Sequence, residues 1–535
     1  MTDRFPSRDA RLRPALAAIT LANLGLLVTW SLVVPTFRAP DEHVHHDLLR
    51  HLTTTWEYPD YDGLDVSRRT LRGLSASPAF PAHAGAVPAD SATHRPDRSS
   101  WSDLGPNVRN GPPNQMPQHP PLYYEAAAVA LRVLDGDDRA PLDRVVWQLR
   151  LLNVLAMAPL PLVAASIARR FTGSAPVVVS AAAGMLAIPQ LTHIGATVSN
   201  DPPMIVLGSL ALAGAARLAT GDRRWATAVA TGVLAGLALF TKGFAMPIVP
   251  AVALACLLPL ARRSRTDADA DADAQRDEEV PGRADRERAG PILGRAAVVA
   301  SLALVCGGWW WIRNAVVYGT PQPGVRLRDR VPGVELDVLQ FAGDFGDRLV
   351  SSFWGNVGWF EARIPVGVSA VLSVIVLAAA IAGCWRSWPR AVLLAPTVAA
   401  TAMVLSAGWG AYKKTGVSYA TQGRYLFTGA VGLMALAALG LARLARRRPW
   451  AQAAGTLVVA LALQGAALWI SVGHYWAGDG LVERLRAMAA FAPVPGAVTA
   501  SCLAAALVAA LAAVVVVGAA AQRHRPGPKW DKQPI

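Results

Sequence analysis

Two carboxylates and three imidazoles stand within six consecutive positions near the start of the chain, in the run DEHVHH at 41–46. The run follows the first apolar stretch by a few residues, so it belongs beside a membrane, where ionisable side chains are costly unless they have a function. A carboxylate there could act as a general base and deprotonate a substrate hydroxyl. The same residues could instead cap a helix or hold a divalent cation, and the sequence leaves these three interpretations open.

Asp41 and Glu42 cannot face one substrate in the same way, because neighbouring side chains on a helix diverge by about 100°. One of them is expected to act as the base while the other orients a partner or binds a cation. Glu42 and His46 have the i, i+4 spacing of two ligands on one helix face, but the His-Glu-x-x-His motif of zinc proteases is absent. Metal dependence therefore stays open, and Mg²⁺ or Mn²⁺ would be held by Asp41, Glu42, His45 and Asp201.

Two further polar residues are predicted to reach the same face of the membrane. Asp201 opens an apolar segment, where it could assist Asp41, ligate the same ion, or act as an N-cap with Pro202 at the first helical position. Lys242 stands between two apolar segments with almost no connector. It needs an anionic partner at that depth, and a lipid phosphate would be one; snorkelling to the interface is the alternative.

Two arginines extend this set of polar residues. Arg313 follows three tryptophans at 309–311, which are typical interface anchors, and it could bind a lipid headgroup or only the membrane surface. Arg424 offers a planar fork suited to a phosphate or pyrophosphate, and Gly423 before it allows close approach of the backbone. Because no glycine-rich nucleotide loop precedes a helix, the expected donor is a lipid-linked sugar rather than a nucleotide sugar.

The composition places these residues in a membrane protein. Of the 535 residues, 53% are hydrophobic and 16% are charged, whereas soluble domains carry roughly a quarter charged residues. The net charge of +14 comes from arginines in short connectors, which the positive-inside rule explains. No nucleic-acid partner is therefore expected. The four cysteines lie in or beside apolar runs and are expected to be small hydrophobic residues.

The predicted fold class is all-α: a polytopic transmembrane bundle of about 12–13 spans with a long first extracytoplasmic loop, 36–120. A retained anchor at about 14–35 enters from a basic N-terminus and sets the orientation. In the first loop, a surface helix is expected at 41–55, and mostly irregular chain is expected over about 60–118, which is rich in Pro and Gly. The segment 121–135 is short for about 30 Å of hydrocarbon and is expected to be re-entrant or interfacial.

A polar segment, 262–293, is predicted to be a disordered cytoplasmic linker, because it carries Asp-Ala repeats and arginines without apolar periodicity. It divides the chain into an N-terminal module, 1–261, which holds the external catalytic loop, and a C-terminal bundle, 294–535. With this topology, nearly all the unusual polar residues fall on the external face, which predicts an extracytoplasmic active site.

Six short motifs follow one another along the chain. They are Pro40-Asp41-Glu42 with His45, His119-Pro120-Pro121-Leu122-Tyr123-Tyr124, Asn200-Asp201, Thr241-Lys242-Gly243, Arg313-Asn314 and Gln422-Gly423-Arg424-Tyr425. Together with a Trp-Gly-x-x-Gly-Trp segment at 354–359, they resemble the bacterial multi-spanning family known as domain of unknown function 2142. More broadly, the chain resembles the GT-C glycosyltransferase superfamily. The resemblance covers most of residues 14–445.

This resemblance implies an inverting transferase that uses a polyprenyl-phosphate sugar on the outer face of the bacterial cytoplasmic membrane. Asp41 would be the general base, with Glu42 and Asp201 as the other catalytic acids. The implied substrate-binding residues are His45, His119, Tyr123, Lys242, Arg313, Gln422, Arg424 and Tyr425. The acceptor would be an envelope glycan, a lipid or a protein, and membrane lipids would be the remaining partners.

Two functions of other classes stay open. A non-catalytic exporter or flippase of lipid-linked polysaccharide would line a path across the bundle with charge, whereas the charges here gather on one face. A metal-dependent membrane hydrolase built on His43, His45 and His46 would depend on those histidines and little on Lys242 or Arg424.

Overall fold

A computed structural model of the chain describes residues 10–76, 98–258, 289–324, 336–418, 421–444 and 448–522. These residues are mainly helical, which confirms the predicted membrane helix bundle. Eight helical stretches among them are long and apolar enough to cross a membrane. They are Leu12–Val33, Leu142–Arg169, Asp201–Ala219, Ala289–Tyr318, Val366–Cys384, Gly423–Arg443, Pro449–Tyr475 and Gly496–Gln522.

Several of these stretches are interrupted. Leu142–Arg169 consists of Leu142–Met157 and Leu160–Arg169, and Ala289–Tyr318 contains a π-helical turn at Leu304–Gly308. Gly423–Arg443 begins with a 3-10 helix, Gly423–Gly429. Three shorter apolar helices accompany them: Ala175–Met185, Trp225–Leu239 and Gly243–Leu258. The remaining helices are Glu42–Thr55, Arg68–Ala76, Leu122–Leu134, Pro189–Ile194, Val338–Trp354, Trp388–Ala391, Ala395–Thr415 and Leu481–Phe491.

Helices from the two ends of the chain pack into one core. Leu12–Val33 packs along Gly496–Gln522, and the two helices meet so closely that a Cβ on Gly25 would lie 2.7 Å from the Cα of Ala506. Small residues allow this approach where lipid offers no hydrophobic drive for association. Residues 262–288 of the predicted linker lie outside the described residues, and residues 289–293 begin a helix.

The first loop forms a second, smaller core beside the bundle. The helix predicted at 41–55 is present as Glu42–Thr55 and packs on Leu122–Leu134. The prediction of mostly irregular chain over about 60–118 falls partly outside the described residues, at 77–97. In its described part the prediction is wrong where Asp65–Ser67 and Arg109–Pro113 pair as antiparallel strands. A second strand pair, Asn356–Val357 with Ala362–Arg363, lies in the other half of the chain.

Asp47 holds together the described parts of the first loop. This carboxylate is fully buried and accepts hydrogen bonds from the Ser67 amide at 3.1 Å, the Thr70 hydroxyl at 2.6 Å, Arg109 at 2.8 Å and Asn114 at 3.0 Å. A buried charge is stable only with such partners. One side chain of the helix therefore fixes both strands and the segment that leads to His119.

Candidate active site

Asp41 lies immediately before the helix Glu42–Thr55 with its backbone in the left-handed region, at φ 61°. Among non-glycine residues, Asp and Asn tolerate this conformation best. Its side chain makes no capping hydrogen bond. Instead it accepts from Arg424 Nη2 at 3.3 Å and Gln115 Nε2 at 3.4 Å, and it remains 20% exposed. Asp41 therefore occupies the N-cap position without capping the helix through its side chain, and its carboxylate can be reached by a substrate.

Asp201 and Lys242 form a buried ion pair. Lys242 Nζ donates to Asp201 Oδ1 at 2.7 Å, and both side chains are almost inaccessible. The N-cap of the helix Asp201–Ala219 is Asn200, which corrects the prediction that Asp201 is the cap. Asn200 Nδ2 also donates to the carbonyl of Thr241 at 3.3 Å, which ties the turn before Lys242 to this helix. Lys242 therefore does not snorkel, and its partner in the described residues is a carboxylate.

Arg424 lies between the two acids, with Nη1 3.7 Å from Asp201 Oδ2 and Nη2 3.3 Å from Asp41 Oδ2. Its position follows from Gly423, whose amide donates to Ser352 Oγ at 2.7 Å. A Cβ on Gly423 would lie 2.3 Å from the Phe353 amide nitrogen, so only glycine brings this segment against the helix Val338–Trp354. The close backbone approach expected of Gly423 is present, and here it serves the protein's own packing.

The four charged residues Asp41, Asp201, Lys242 and Arg424, called the charge cluster below, contain unsatisfied atoms. Asp201 Oδ2 and Arg424 Nε are buried without a hydrogen-bond partner in the described parts of the chain. Folded proteins pair nearly all such atoms. The charge cluster therefore has an unpaired donor and an unpaired acceptor. It can bind a further polar group without first breaking a strong ion pair.

His45 and His119 border the charge cluster. The Tyr124 hydroxyl lies 2.9 Å from His45 Nδ1, while Nδ1 of His119 has no partner within the described ranges. Burial, and then the nearby Lys242 ammonium, hold the pKa of both imidazoles well below the usual value. Both rings are therefore neutral at neutral pH, where they can donate and accept hydrogen bonds without adding charge.

Glu42 has a different environment from its neighbour. It is fully buried, and each carboxylate oxygen has two donors. Oε1 accepts from Arg150 Nε at 2.8 Å and the Val198 amide at 3.0 Å, and Oε2 accepts from Arg150 Nη2 at 2.6 Å and the Phe37 amide at 2.9 Å. The two adjacent acids thus diverge as expected, and Glu42 has no remaining capacity for a substrate.

The helix Leu142–Met157 positions both acids of the charge cluster. Arg150 donates to the carbonyls of Ser31, Val34 and Pro35, in the chain that leads to Asp41. One turn later, Asn153 Nδ2 donates to the carbonyls of Thr197 at 2.7 Å and Ser199 at 3.1 Å, in the chain that leads to Asp201.

Of the predicted substrate residues, Tyr123 and Arg313 lie at the edge of this site or beyond it, whereas the Tyr425 ring contacts Arg424, with 5.5 Å between its centroid and the guanidinium carbon. The Tyr123 hydroxyl accepts from Asn153 at 3.4 Å, on the side of Glu42. Tyr425 stacks on Phe244 with ring centroids 3.7 Å apart, and Arg313 pairs with Asp60 at 3.2 Å in a separate cavity. Gln422 is the residue that precedes the 3-10 helix Gly423–Gly429.

Sequence reasoning did not select Gln115, Tyr124 or Arg150 as site or support residues. Arg150 had a usable indication, because it is a charge inside an apolar run and such charges require a partner. Tyr124 follows Tyr123 directly, and only the helical phase decides which of the two faces His45. Gln115 had no indication in the sequence.

The histidine-rich segment does not form a metal site in the structure. Glu42 is bound to Arg150 and His45 to Tyr124, while Asp41 and Asp201 both pair with Arg424, so the four predicted ligands are not grouped around one point. His46 is fully buried between Phe37 and Trp101. In the described ranges no three His, Cys, Asp or Glu side chains are grouped so as to hold an ion. These residues do not fit a divalent cation, and no step below depends on one.

Comparisons with known proteins give one family match. The model of the family dolichyl-phosphate-mannose-protein mannosyltransferase matches residues 134–266, a segment that contains Arg150, Asp201 and Lys242. No curated protein sequence matches the chain.

Among solved structures, the chain is similar to ArnT from Cupriavidus metallidurans in the apo state, with TM-score 0.45, 15% identity, and coverage of 93% of this chain and 75% of that one. ArnT bound to undecaprenyl phosphate gives TM-score 0.44, 15% identity and the same coverage. The archaeal oligosaccharyltransferase AglB from Archaeoglobus fulgidus, in complex with an inhibitory peptide and a dolichol-phosphate, gives TM-score 0.38 and 13% identity over 86% of this chain and 56% of that one.

Proposed function

We propose that the chain is a membrane glycosyltransferase of the GT-C type, which moves a sugar from a polyprenyl-phosphate donor to a glycan, lipid or protein acceptor on the outer face of the bacterial cytoplasmic membrane. The observation that carries this proposal is the charge cluster. Its one accessible acid, Asp41, pairs with the buried Arg424, and Arg424 Nε and Asp201 Oδ2 have no hydrogen-bond partner among the described residues. The mannosyltransferase family match over 134–266 supports the donor class.

Asp41 is assigned as the general base. It accepts the proton of the acceptor hydroxyl, the acceptor oxygen bonds to the anomeric carbon, and the bond between that carbon and the phosphate oxygen breaks. One displacement of this kind inverts the anomeric centre. Positioned proton transfer contributes about 10²–10⁴-fold to a rate, and the weak 3.3 and 3.4 Å contacts of Asp41 leave its oxygens available for the acceptor.

Arg424 and Lys242 are assigned to the departing polyprenyl phosphate. Preorganised cations stabilise charge that develops on a leaving group without reorganising at the moment of reaction. The 3.7 Å contact between Arg424 and Asp201 exceeds hydrogen-bond length, so a phosphate oxygen can take the open N–H groups of Arg424. Asp201 is then a positioning residue, which holds Lys242 at 2.7 Å and keeps Arg424 nearby.

We assign no catalytic step to Glu42. Its four donors fix the chain on either side of the site, so it acts through Asp41 as a positioning residue. Tyr123 is also assigned as a positioning residue, because its hydroxyl contacts Asn153.

The test is lipid analysis of a host strain that lacks the chain. A polyprenyl-phosphate sugar should accumulate, and the wild-type chain should clear it. Asp41→Asn should not clear it, whereas Asp62→Asn should. Asp62 is a matched control, because it is an exposed aspartate of the same loop that is also left-handed, at φ 69°. Failure of any such lipid to accumulate, or clearance by Asp41→Asn, would overturn the proposal.

A further inference from the structure

A second concavity lies beside the charge cluster, between the chain that follows the helix Glu42–Thr55 and the end of the helix Trp309–Tyr318. Its walls include Tyr58, Asp60, Trp310, Arg313 and Tyr318, and it is called the aromatic cavity below. It combines flat apolar surfaces with a few polar groups, which is the composition of small-ligand sites.

The apolar walls meet at a right angle. The rings of Tyr58 and Trp310 have centroids 6.0 Å apart and planes inclined by 86°. Arg313 is stacked on this wall, with its guanidinium carbon 5.2 Å from the Trp310 centroid and 5.5 Å from that of Tyr318. The electron-rich face of an aromatic ring attracts weakly positive C–H groups as well as cations. Such a corner fits the C–H face of a pyranose ring.

The polar wall is an acid held by two donors. Asp60 Oδ1 accepts from the Tyr318 hydroxyl at 3.0 Å and from Arg313 Nη2 at 3.2 Å, while the Asp60 side chain is 77% exposed. The Asp60 carboxylate can accept a hydrogen bond from one sugar hydroxyl, and the Arg313 guanidinium beside it can donate one to the next. A phosphate fits this wall poorly, because Asp60 neutralises Arg313 and would repel a second anion.

The aromatic cavity is adjacent to the charge cluster through one aromatic side chain. The Tyr58 hydroxyl donates to the His119 carbonyl at 2.7 Å, and the Tyr58 ring packs on Tyr124 with centroids 6.2 Å apart. Tyr124 in turn contacts His45. A ligand in the cavity would therefore lie beside the histidines that border the reacting groups.

We propose that the aromatic cavity is a glycosyl subsite, which binds a pyranose ring through Trp310, Tyr58 and Asp60. This inference rests on the proposed function for its role in transfer. The ring belongs either to the donor sugar or to the acceptor glycan, since both present the same chemistry. Arg313 then serves as part of a sugar site, in place of the headgroup contact that its sequence position suggests.

The binding experiment uses the purified full chain in detergent and a panel of methyl pyranosides of the gluco, manno and galacto series, observed by saturation-transfer NMR. At least one should bind, and Trp310→Ala and Asp60→Asn should each weaken it by about tenfold or more. The matched controls are Trp309→Ala, the adjacent tryptophan outside the cavity walls, and Asp62→Asn, both of which should bind as the wild type does.

If Trp310→Ala fails to fold, Asp60→Asn still tests the proposal, because Asp60 is exposed and its substitution should leave the fold intact. Absence of binding by the wild type, or unchanged binding in both cavity variants, overturns the proposal.

A third variant separates this inference from the proposed function. Asp41→Asn leaves the aromatic cavity intact, so it should bind the pyranoside normally while losing transfer. If Asp41→Asn still transfers sugar, the proposed function fails and the cavity stands. In transfer assays, Asp60→Asn should raise KM for the lipid-linked donor if the donor sugar occupies the cavity, and for the acceptor if the acceptor does. An unchanged KM for both overturns a role in transfer.

Discussion

Asp41 and Glu42 are adjacent in the chain, and each forms a pair with an arginine. The two pairs differ in how many of their hydrogen-bonding atoms have partners. In the pair of Glu42 and Arg150, both carboxylate oxygens have two donors and all five guanidinium N–H groups have acceptors. In the pair of Asp41 and Arg424, the hydrogen bond is 3.3 Å long, and Arg424 Nε has no acceptor in the described residues.

The difference supports the proposed assignment of Glu42 as a structural acid and Asp41 as a functional one. A fully satisfied buried network is rigid and offers nothing to a ligand. A pair with open donors and one accessible oxygen can receive a ligand, and perturbed polar groups of this kind concentrate at functional sites. Residue type and position in the sequence do not distinguish the two acids, whereas the number of their partners does.

Asp41→Asn should give the largest effect and tests the functional half of the comparison. Asparagine keeps the shape and tolerates the left-handed backbone, so the melting temperature should stay unchanged. The rate of sugar transfer in proteoliposomes should fall by about 10²–10⁴-fold, because the base is lost. Asp62→Asn should keep the wild-type rate, and a rate for Asp41→Asn within a few-fold of it would erase the distinction.

Glu42→Gln tests the structural half. It leaves Arg150 as an uncompensated buried charge, which should destabilise the fold by about 3–5 kcal/mol. The yield of folded protein and its melting temperature should fall, while transfer per folded molecule stays closer to that of the wild type than in Asp41→Asn. A stable Glu42→Gln protein without activity would reverse the two roles.

Arg424→Lys should have an intermediate effect. Lysine keeps the charge but lacks the planar fork that reaches Asp41 and Asp201 together. The KM for the lipid-linked donor should rise by about tenfold, which corresponds to about 1.4 kcal/mol. Arg363→Lys, a change in the surface pair with Asp347, should leave KM unchanged; equal KM values for the two variants would argue against phosphate binding by Arg424.

His46→Leu should have the smallest effect on the rate of sugar transfer, because His46 belongs to neither arginine–carboxylate pair. Both ring nitrogens of His46 lack partners among the described residues, but aromatic rings surround them, so no change in transfer is expected. Burial, with Arg50 as a second cause, lowers the His46 pKa well below its ordinary value of 6.5. The folded chain therefore binds fewer protons than the unfolded chain.

The acid dependence of stability follows from this sign. The stabilising effect of neutral His46 is complete above pH 6.5 and is lost as the pH falls below it, by about 1.4 kcal/mol per pH unit. The melting temperature of the wild type should therefore drop more steeply on acidification than that of His46→Leu. Parallel curves for the two proteins would show that His46 does not contribute.

The sequence allowed the charge cluster to be anticipated as a set. Asp41, Asp201, Lys242 and Arg424 each stand at the end of an apolar run, and alternating basic connectors assign these ends to one side of the membrane. Their pairing could not be predicted, because it depends on how the runs pack. The same holds for Glu42, whose partner Arg150 is 108 positions away.

The first loop shows a second limit. Its many Pro and Gly residues favour irregular chain, yet two strands form there. They are fixed by Asp47, which lies outside the segment and has no distinguishing feature in the sequence. A single buried carboxylate can thus override local composition, and no local pattern reveals it.

The contact at Gly423 fixes the segment that carries Arg424 against the helix Val338–Trp354. Because not even a methyl group fits between Gly423 and Phe353, the segment that carries Arg424 cannot slide past the helix Val338–Trp354. A ligand that shifted the backbone of this segment would therefore press on this 17-residue helix as well. The helix is about 25 Å long, and the Asp337 amide just before it donates to the Tyr412 hydroxyl at 3.1 Å, so the Gly423 contact and the Tyr412 contact lie at opposite ends of one element.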